Sequence, residues 1–435
     1  MKKPRNFIWI AALVLLPIMG KGQSLELSLE EAMNMACKQN ATLKVKQAEF
    51  WEARSRARQS LAAFLPQVEA SAMMTRTNDP LNVFGQKLKQ GVVTQNDFIP
   101  ADLNNPDGFS NFNTRVDIRQ PIFNLDGIIG RGAAEDARDA KKWELERTKE
   151  YVLMEVKKQY FAISLAQHKV EVLEGALKTA QANLQLVEDL KEQGYAKEAD
   201  RLEVSVYVAD LEGKLLQSES DLLTAEDYLV VLLNEPKGTS IKTTESLEDV
   251  QTLFEEYDQL SDQRADIKAF SLGLDASKKM YKSSTFAFVP RVNAFGALEQ
   301  NGRQFFGDSK NNYFVGLQLS WTLFNGFKSL GKAQEAKATW LKTQYQFDEY
   351  KRQNELELSK AVREAKVYEK RVQLASLAKE QAEESYRMRK DRYEEGLEKT
   401  TDLLLAQSLS AQKQLEYLHA LYGYKVQLFY LEFQQ

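Results

Sequence analysis

The 435-residue chain is 28% charged and 43% hydrophobic, and with only 21 glycines and 9 prolines it should form long, rarely interrupted elements. A formal net charge of -4 leaves no basic surplus for nucleic acid, and a single cysteine, Cys37, excludes an internal disulfide and a thiolate metal cage. At the N-terminus, Lys2, Lys3 and Arg5 precede an apolar run from Phe7 to Met19 and the small-residue stretch Gly20-Lys21-Gly22. This pattern reads as a signal peptide over residues 1–22 with cleavage near Gln23. An uncleaved anchor is the alternative, but thirteen apolar residues are short against the ~20 that span a bilayer. No second long apolar segment follows, so entry into a membrane would have to be by strands.

The first repeat, residues 23–240, reads as helix, strand, loop, strand, long helix, helix. A helical segment leads to Pro66, and a weak strand runs from Val68 to about Met74. A long polar connection follows from Arg76 to Asn111, holding Asn78-Asp79-Pro80, Asp97-Phe98-Ile99-Pro100 and Asn104-Asn105-Pro106. Its length suits an outward-facing loop, either a passive insertion or a constriction of the outer mouth. Val116, Ile118 and Ile122 then alternate with Arg115, Asp117 and Arg119 as a two-faced strand.

From about Ile128 to Glu192, roughly 100 Å at 1.5 Å per residue, the apolar positions step by four and three. The series runs from Val152, Val156 and Gln159, the one polar exception, through Ile163, Ala166, Val170, Leu173, Leu177, Ala180, Leu184 and Val187, which is a coiled-coil seam. The seam resumes after Gly194 from Val204 to Leu232, so the two helices should pack as an antiparallel hairpin.

A linker over residues 241–262, equatorial in a cylinder of helices, leads into a second repeat at 263–435. Three anchors argue for duplication. Ala63-Phe64-Leu65-Pro66-Gln67-Val68-Glu69-Ala70 returns as Ala287-Phe288-Val289-Pro290-Arg291-Val292-Asn293-Ala294. Val116, Ile118, Ile122, Phe123 and Asn124 recur as Leu317, Leu319, Leu323, Phe324 and Asn325, and Gly194, Asp200 and Leu202 as Gly396, Asp402 and Leu404.

The strand from Tyr313 to Leu323 puts Tyr313, Val315, Leu317, Leu319 and Trp321 on one face, with Tyr313 and Trp321 about 26 Å apart along it. That spacing suits an aromatic membrane girdle in contact with outer-membrane lipid. Four strands per chain cannot close a barrel, which takes about eight, so the barrel must be completed by oligomerisation. The expected fold is mainly α: a long antiparallel coiled-coil α-barrel with a small membrane β-barrel. The only histidines, His168 and His419, lie within helices without ligand-spaced partners, and Gly130-Arg131-Gly132 lacks the rest of a phosphate loop. No enzyme activity, cofactor or metal is expected.

Several motifs stand in family order. They are Leu27-Ser28-Leu29-Glu30-Glu31-Ala32, Phe64-Leu65-Pro66, Gln120-Pro121-Ile122-Phe123, Trp321-Thr322-Leu323-Phe324-Asn325-Gly326, and Tyr393-Glu394-Glu395-Gly396 followed by Asp402-Leu403-Leu404. On these motifs the chain resembles the TolC-type outer membrane efflux protein family over essentially all of its mature length. The resemblance implies a homotrimer with a twelve-stranded barrel, a periplasmic helical tunnel gated at the helix turns, and docking to a periplasmic adaptor and an inner-membrane transporter. By position it implies adaptor contacts at Gly194, Tyr195, Gly396 and Leu397, and an acidic constriction at Asp402, with Asp200 and Tyr393 completing the gate. Tyr393 matches a family tyrosine that bonds an acidic group of the first turn, here Asp200.

The chain departs from the family at Glu398, where a basic latch residue is usual, and at Leu405, where a second ring aspartate occurs. Read from the residues alone, Asp200 and Asp402 could equally serve the first turns of their helices. The alternative architecture is a soluble periplasmic coiled-coil adaptor or tether, although an adaptor would carry glycine-rich β segments around a single hairpin. Cargo stays open between drug, metal and protein.

Overall fold

The computed structural model describes residues 24–248, 259–305, 307 and 309–435. The signal peptide and residues 249–258 of the linker therefore lie outside the described residues. The chain divides into a helical unit (residues up to 43, 149–258 and 358–435) and a sheet unit (44–148 and 259–357). Two long helices, α5 (Leu125–Glu192) and α8 (Lys328–Glu394), contribute residues to both.

The sheet unit is built on four antiparallel strands, β2 (Gln67–Thr77), β3 (Phe109–Phe123), β5 (Arg291–Gly302) and β6 (Ser309–Ser320), in the order β2-β3-β5-β6. The register sorts side chains by chemistry. One face carries Val68, Val116, Ile118, Leu298, Val315, Leu317 and Leu319; the other carries Glu69, Arg115, Asp117, Glu299 and Gln318. Tyr313, Leu317 and Leu319 are 78%, 75% and 68% exposed, so the apolar face of β6 is uncovered by the described residues. Phe109, Phe295 and Phe314 are aromatic exceptions on the polar face. There the Phe295 ring lies over Gly316, where a Cβ would meet it at 2.7 Å, so only glycine fits beneath the ring. Pro121, which has no N–H for the ladder, sits where the β3–β5 register shifts at a bulge.

The motifs flanking the strands turn out to be joints. Gln120 Nε2 donates to the Phe64 carbonyl at 2.7 Å, and at the equivalent place in the second half Trp321 Nε1 donates to the Phe288 carbonyl at 2.9 Å. Asn124 and Asn325 likewise accept from backbone N–H groups of the helices that follow, those of Gly127 (3.4 Å) and Ser329 (3.2 Å). Trp321 lies just beyond β6, which ends at Ser320, so the strand is shorter than its alternation suggests. At the start of α7 (Ala265–Phe286), buried Arg264 and Tyr350 grip Asp266. Burial pushes that carboxyl up, but these bonds hold it down at about 2.

The connection read as a polar loop is folded. It contains α3 (Pro80–Gln90), a 3-10 turn (Gln95–Phe98) and α4 (Pro100–Asn104). Asp79 Oδ1 accepts from Asn82 N at 2.8 Å, Pro80 supplies the first helical residue, and Gly91 at φ +69° ends α3.

In the helical unit, β1 (Ser24–Leu27) pairs in parallel with β4 (Ser240–Thr243), at the junction of first repeat and linker. Buried Tyr160 on α5 donates its hydroxyl to the Leu27 carbonyl (2.9 Å) and accepts from Thr244 N (3.1 Å). Ser28 and Glu31 form a capping box on α1 (Leu29–Gln39), which explains the opening motif. The α5 seam is buried at Val152, Val156, Ile163, Ala166, Leu173, Ala180 and Val187, and α6 (Glu198–Leu233) packs against it antiparallel through Val204, Val208 and Leu211. On its other flank α5 meets α9 (Thr400–Phe433): Asn183 donates to Gln407 Oε1 at 2.9 Å and Phe161 stacks on Phe429. Gln427 Nε2 of α9 donates to the Ala361 carbonyl of α8 at 3.3 Å.

Candidate functional site at the helical turns

The two turns expected to do the work close the α5–α6 and α8–α9 hairpins. Both end their long helix through a left-handed glycine, Gly194 at φ +83° and Gly396 at φ +75°. The following N–H reaches back over the helix end, from Tyr195 to the Leu190 carbonyl (2.8 Å) and from Leu397 to the Arg392 carbonyl (2.9 Å). Tyr195 and Leu397 are left 81% and 65% exposed at the tips.

Beneath the tips Val187, Val204, Tyr393, Leu403 and Leu404 form one buried cluster drawing on both hairpins, flanked by Tyr207 and Tyr386. Burial holds both flanking phenols above their ordinary range. Next to it lies a polar layer absent from the sequence reading, in which buried Gln407 accepts from Asn183 and donates to the Ala176 carbonyl at 3.1 Å. The one available signal was that Gln407 falls on the otherwise apolar stripe of Leu403, Leu404 and Ala406.

Each turn is stapled across seven residues. In the first, Lys191 pairs with Glu198, which also takes Arg201 at 2.7 Å. The Arg201 and Lys191 bonds hold the Glu198 carboxyl down at about 2. In the second, the equivalent positions are Tyr393 and Thr400, whose hydroxyls meet at 3.2 Å. The implied Tyr393–Asp200 bond is therefore absent within the chain. Thr400 competes locally for the phenol, and Asp200 is already engaged, accepting from Lys197 N at 2.9 Å. Asp402, half-buried at the matching position of α9, has no side-chain partner among the described residues. Glu398, which replaces the family's basic residue, is gripped by Arg389 and Arg392 at 3.0 Å each. The structure thus brings Tyr393 into the core with both turns, ties Asp200 into a helix start, and leaves the Asp402 carboxylate uncommitted.

The model of the outer membrane efflux protein family matches residues 32–235 and 257–432. No curated protein sequence matches the chain. The fold is similar to that of a membrane protein from Pseudomonas aeruginosa, with a TM-score of 0.81, 16% identity and 93% of each chain covered. It is also similar to the outer membrane protein VceC of Vibrio cholerae, with a TM-score of 0.77, 17% identity, and 93% of this chain and 95% of that one covered. The open state of the MtrE outer membrane channel of Neisseria gonorrhoeae gives a TM-score of 0.78 at 15% identity, covering 93% of this chain and 88% of the other. With the two matched segments taking in most of its length, the chain belongs to the outer membrane efflux protein family and is an efflux channel of the outer membrane.

Proposed function

We propose that three copies of this chain form a conduit for solutes delivered by a periplasmic adaptor and an inner-membrane transporter, gated at the two helical turns. The observation that carries the reading is the two-faced sheet with unpaired edges at β2 and β6. Open strand edges are not tolerated in lipid, so further copies must pair them. Three copies of four strands make a twelve-stranded barrel, the number the family resemblance implies.

The helices support the same assembly. Within the chain α5 packs α6 on one side and α9 on the other, and α9 packs α8, which leaves α6 and α8 at the margins. Each margin carries a second, exposed apolar stripe at coiled-coil spacing: Leu202, Val206, Leu216 and Leu223 on α6, and Val367, Leu374, Leu377 and Met388 on α8. Placing α6 of one copy against α8 of the next is a head-to-tail contact that closes into a ring.

In that ring the uncommitted Asp402 side chains converge on the axis as the acidic constriction, and the tips at Gly194-Tyr195 and Gly396-Leu397 meet the adaptor. Asp200 and Tyr393 hold the turns in shape rather than lining the opening. The duplicated halves supply alternate hairpins, and Tyr313 and Trp321 mark the lipid boundaries. Planar-bilayer recording tests the gate: Asp402→Ala should abolish block by multivalent cations, whereas an unchanged block removes Asp402 from the constriction.

A further inference from the structure

The segment between β2 and β3 has a place in the sheet unit that its sequence did not announce. Every side-chain bond that α3 makes to a strand side chain lands on the polar face. Gln86 Nε2 donates to Thr75 Oγ1 at 3.1 Å, and Lys89 pairs with Glu299 at 3.3 Å. Asn312 Nδ2 donates to the Lys89 carbonyl at 3.4 Å. By the strand register, Thr75, Asn111, Glu299, Asn301 and Asn312 all share the face that carries Arg115 and Asp117, opposite Val116, Leu298 and Tyr313.

Gln90 is the centre of the attachment. Its Nε2, with two N–H groups, lies within hydrogen-bond reach of three acceptors, the carbonyls of Ser110 (3.1 Å) and Gly302 (3.1 Å) and Asn111 Oδ1 (2.9 Å). Beneath it Asn111 and Asn113 both donate to Asn301 Oδ1, at 2.9 and 3.0 Å. Gln90, Asn111 and Asn301 are 7%, 6% and 1% exposed, so this carboxamide layer is a sealed joint, not a surface contact. The segment is also braced internally. Lys87 pairs with Asp97, holding that carboxyl down at about 2 with help from Thr94 N, and Phe84 meets Phe98 edge-on at 5.6 Å.

We propose that the β2–β3 connection is an exit plug, with α3 folded inward over the pore wall and latched there by Gln90, so that this segment limits the size of solute leaving the outer mouth. The proposal rests on the barrel proposed above, in which the apolar face of the sheet meets lipid and the polar face is the pore wall. A loop that merely decorated the surface would have no cause to bury three carboxamides against that wall, and one resting on lipid would bond to the other face.

The test is cysteine labelling of the full-length protein on intact cells, in a Cys37→Ser background. Gln318→Cys places a thiol on the polar face toward the end of the sheet away from α3, since Gln318 pairs with Asn293. A small hydrophilic maleimide added outside should label it, while a bulky polyethylene-glycol maleimide should not. Two variants should each admit the bulky reagent: replacement of residues 80–106 by a short Gly-Ser linker, and Gln90→Glu, which sets a carboxylate against three oxygen acceptors. Equal bulky labelling with and without the segment overturns the plug. Small-reagent labelling of Leu317→Cys but not of Gln318→Cys overturns the pore reading and the plug with it.

Discussion

The two hairpin turns have the same backbone and different jobs. Both use a left-handed glycine and an N–H that folds back over the helix end, yet their side chains diverge at equivalent positions. The first turn is charged and outward: Lys191 staples Glu198, Asp200 is spent on the Lys197 N–H, and Leu202 is 51% exposed. The second is neutral across its staple and turned inward, with Tyr393 on Thr400 and Leu404 buried at 7%. Duplication supplied the scaffold, and side-chain substitution made one turn a solvated tip and the other the part that commits a core to holding a free carboxylate.

The sharpest way to break this contrast is through the leucines. Leu404→Ala should destabilise the protein by about 3 kcal/mol, while Leu202→Ala should cost less than about 0.5 kcal/mol in the isolated protomer. Thermal unfolding of the protein dissociated to protomers in detergent reads this directly, and equal losses would show that both turns are equally packed. The aspartates come next. Asp402→Ala should remove multivalent-cation block, while Asp200→Ala should leave the block intact and cost about 1 kcal/mol from the lost helix-start bond.

The glycines are the control. No atom lies within 4 Å of a Cβ added at Gly194 or Gly396, so alanine at either costs only the backbone strain, about 1 kcal/mol. A larger loss at one turn alone would mean that it changes shape in use. The smallest effect is that of pH. Because the Glu198 carboxyl is held down at about 2, its ion pairs stabilise the first turn above the ordinary glutamate range and are lost as pH falls toward 2. Hydrogen exchange at the Tyr195 and Ala196 amides should rise over that window. The Tyr393–Thr400 staple has no charge to lose there, so that bond itself should persist over the window.

Much of the fold was legible in the chain. The four–three spacing from Val152 to Val187 gave the buried seam of α5, because a seam is a local property of helical periodicity. Period-two alternation at Tyr313 to Leu319 gave the exposed apolar face of β6 for the same reason. The helices of the β2–β3 segment were missed although their signals were present: Asp79-Pro80 starts α3 and Gly91 ends it. A polar composition hid them, since α3 buries little besides Val83 and is held by carboxamides rather than by an apolar stripe.

By itself the sequence determined the elements, their duplication, the seams and the likeness to outer membrane efflux proteins, because each is written in short-range periodicity or in motifs that cap and join neighbouring elements. Only the tertiary structure decided that Tyr393 turns to Thr400, that Asp200 is spent while Asp402 has no side-chain partner among the described residues, that α6 and α8 carry exposed apolar stripes, and that α3 lies on the polar face. Those outcomes depend on which of several chemically acceptable partners is nearest once distant segments meet. A hydrogen bond is won by geometry, and residue type alone does not fix geometry.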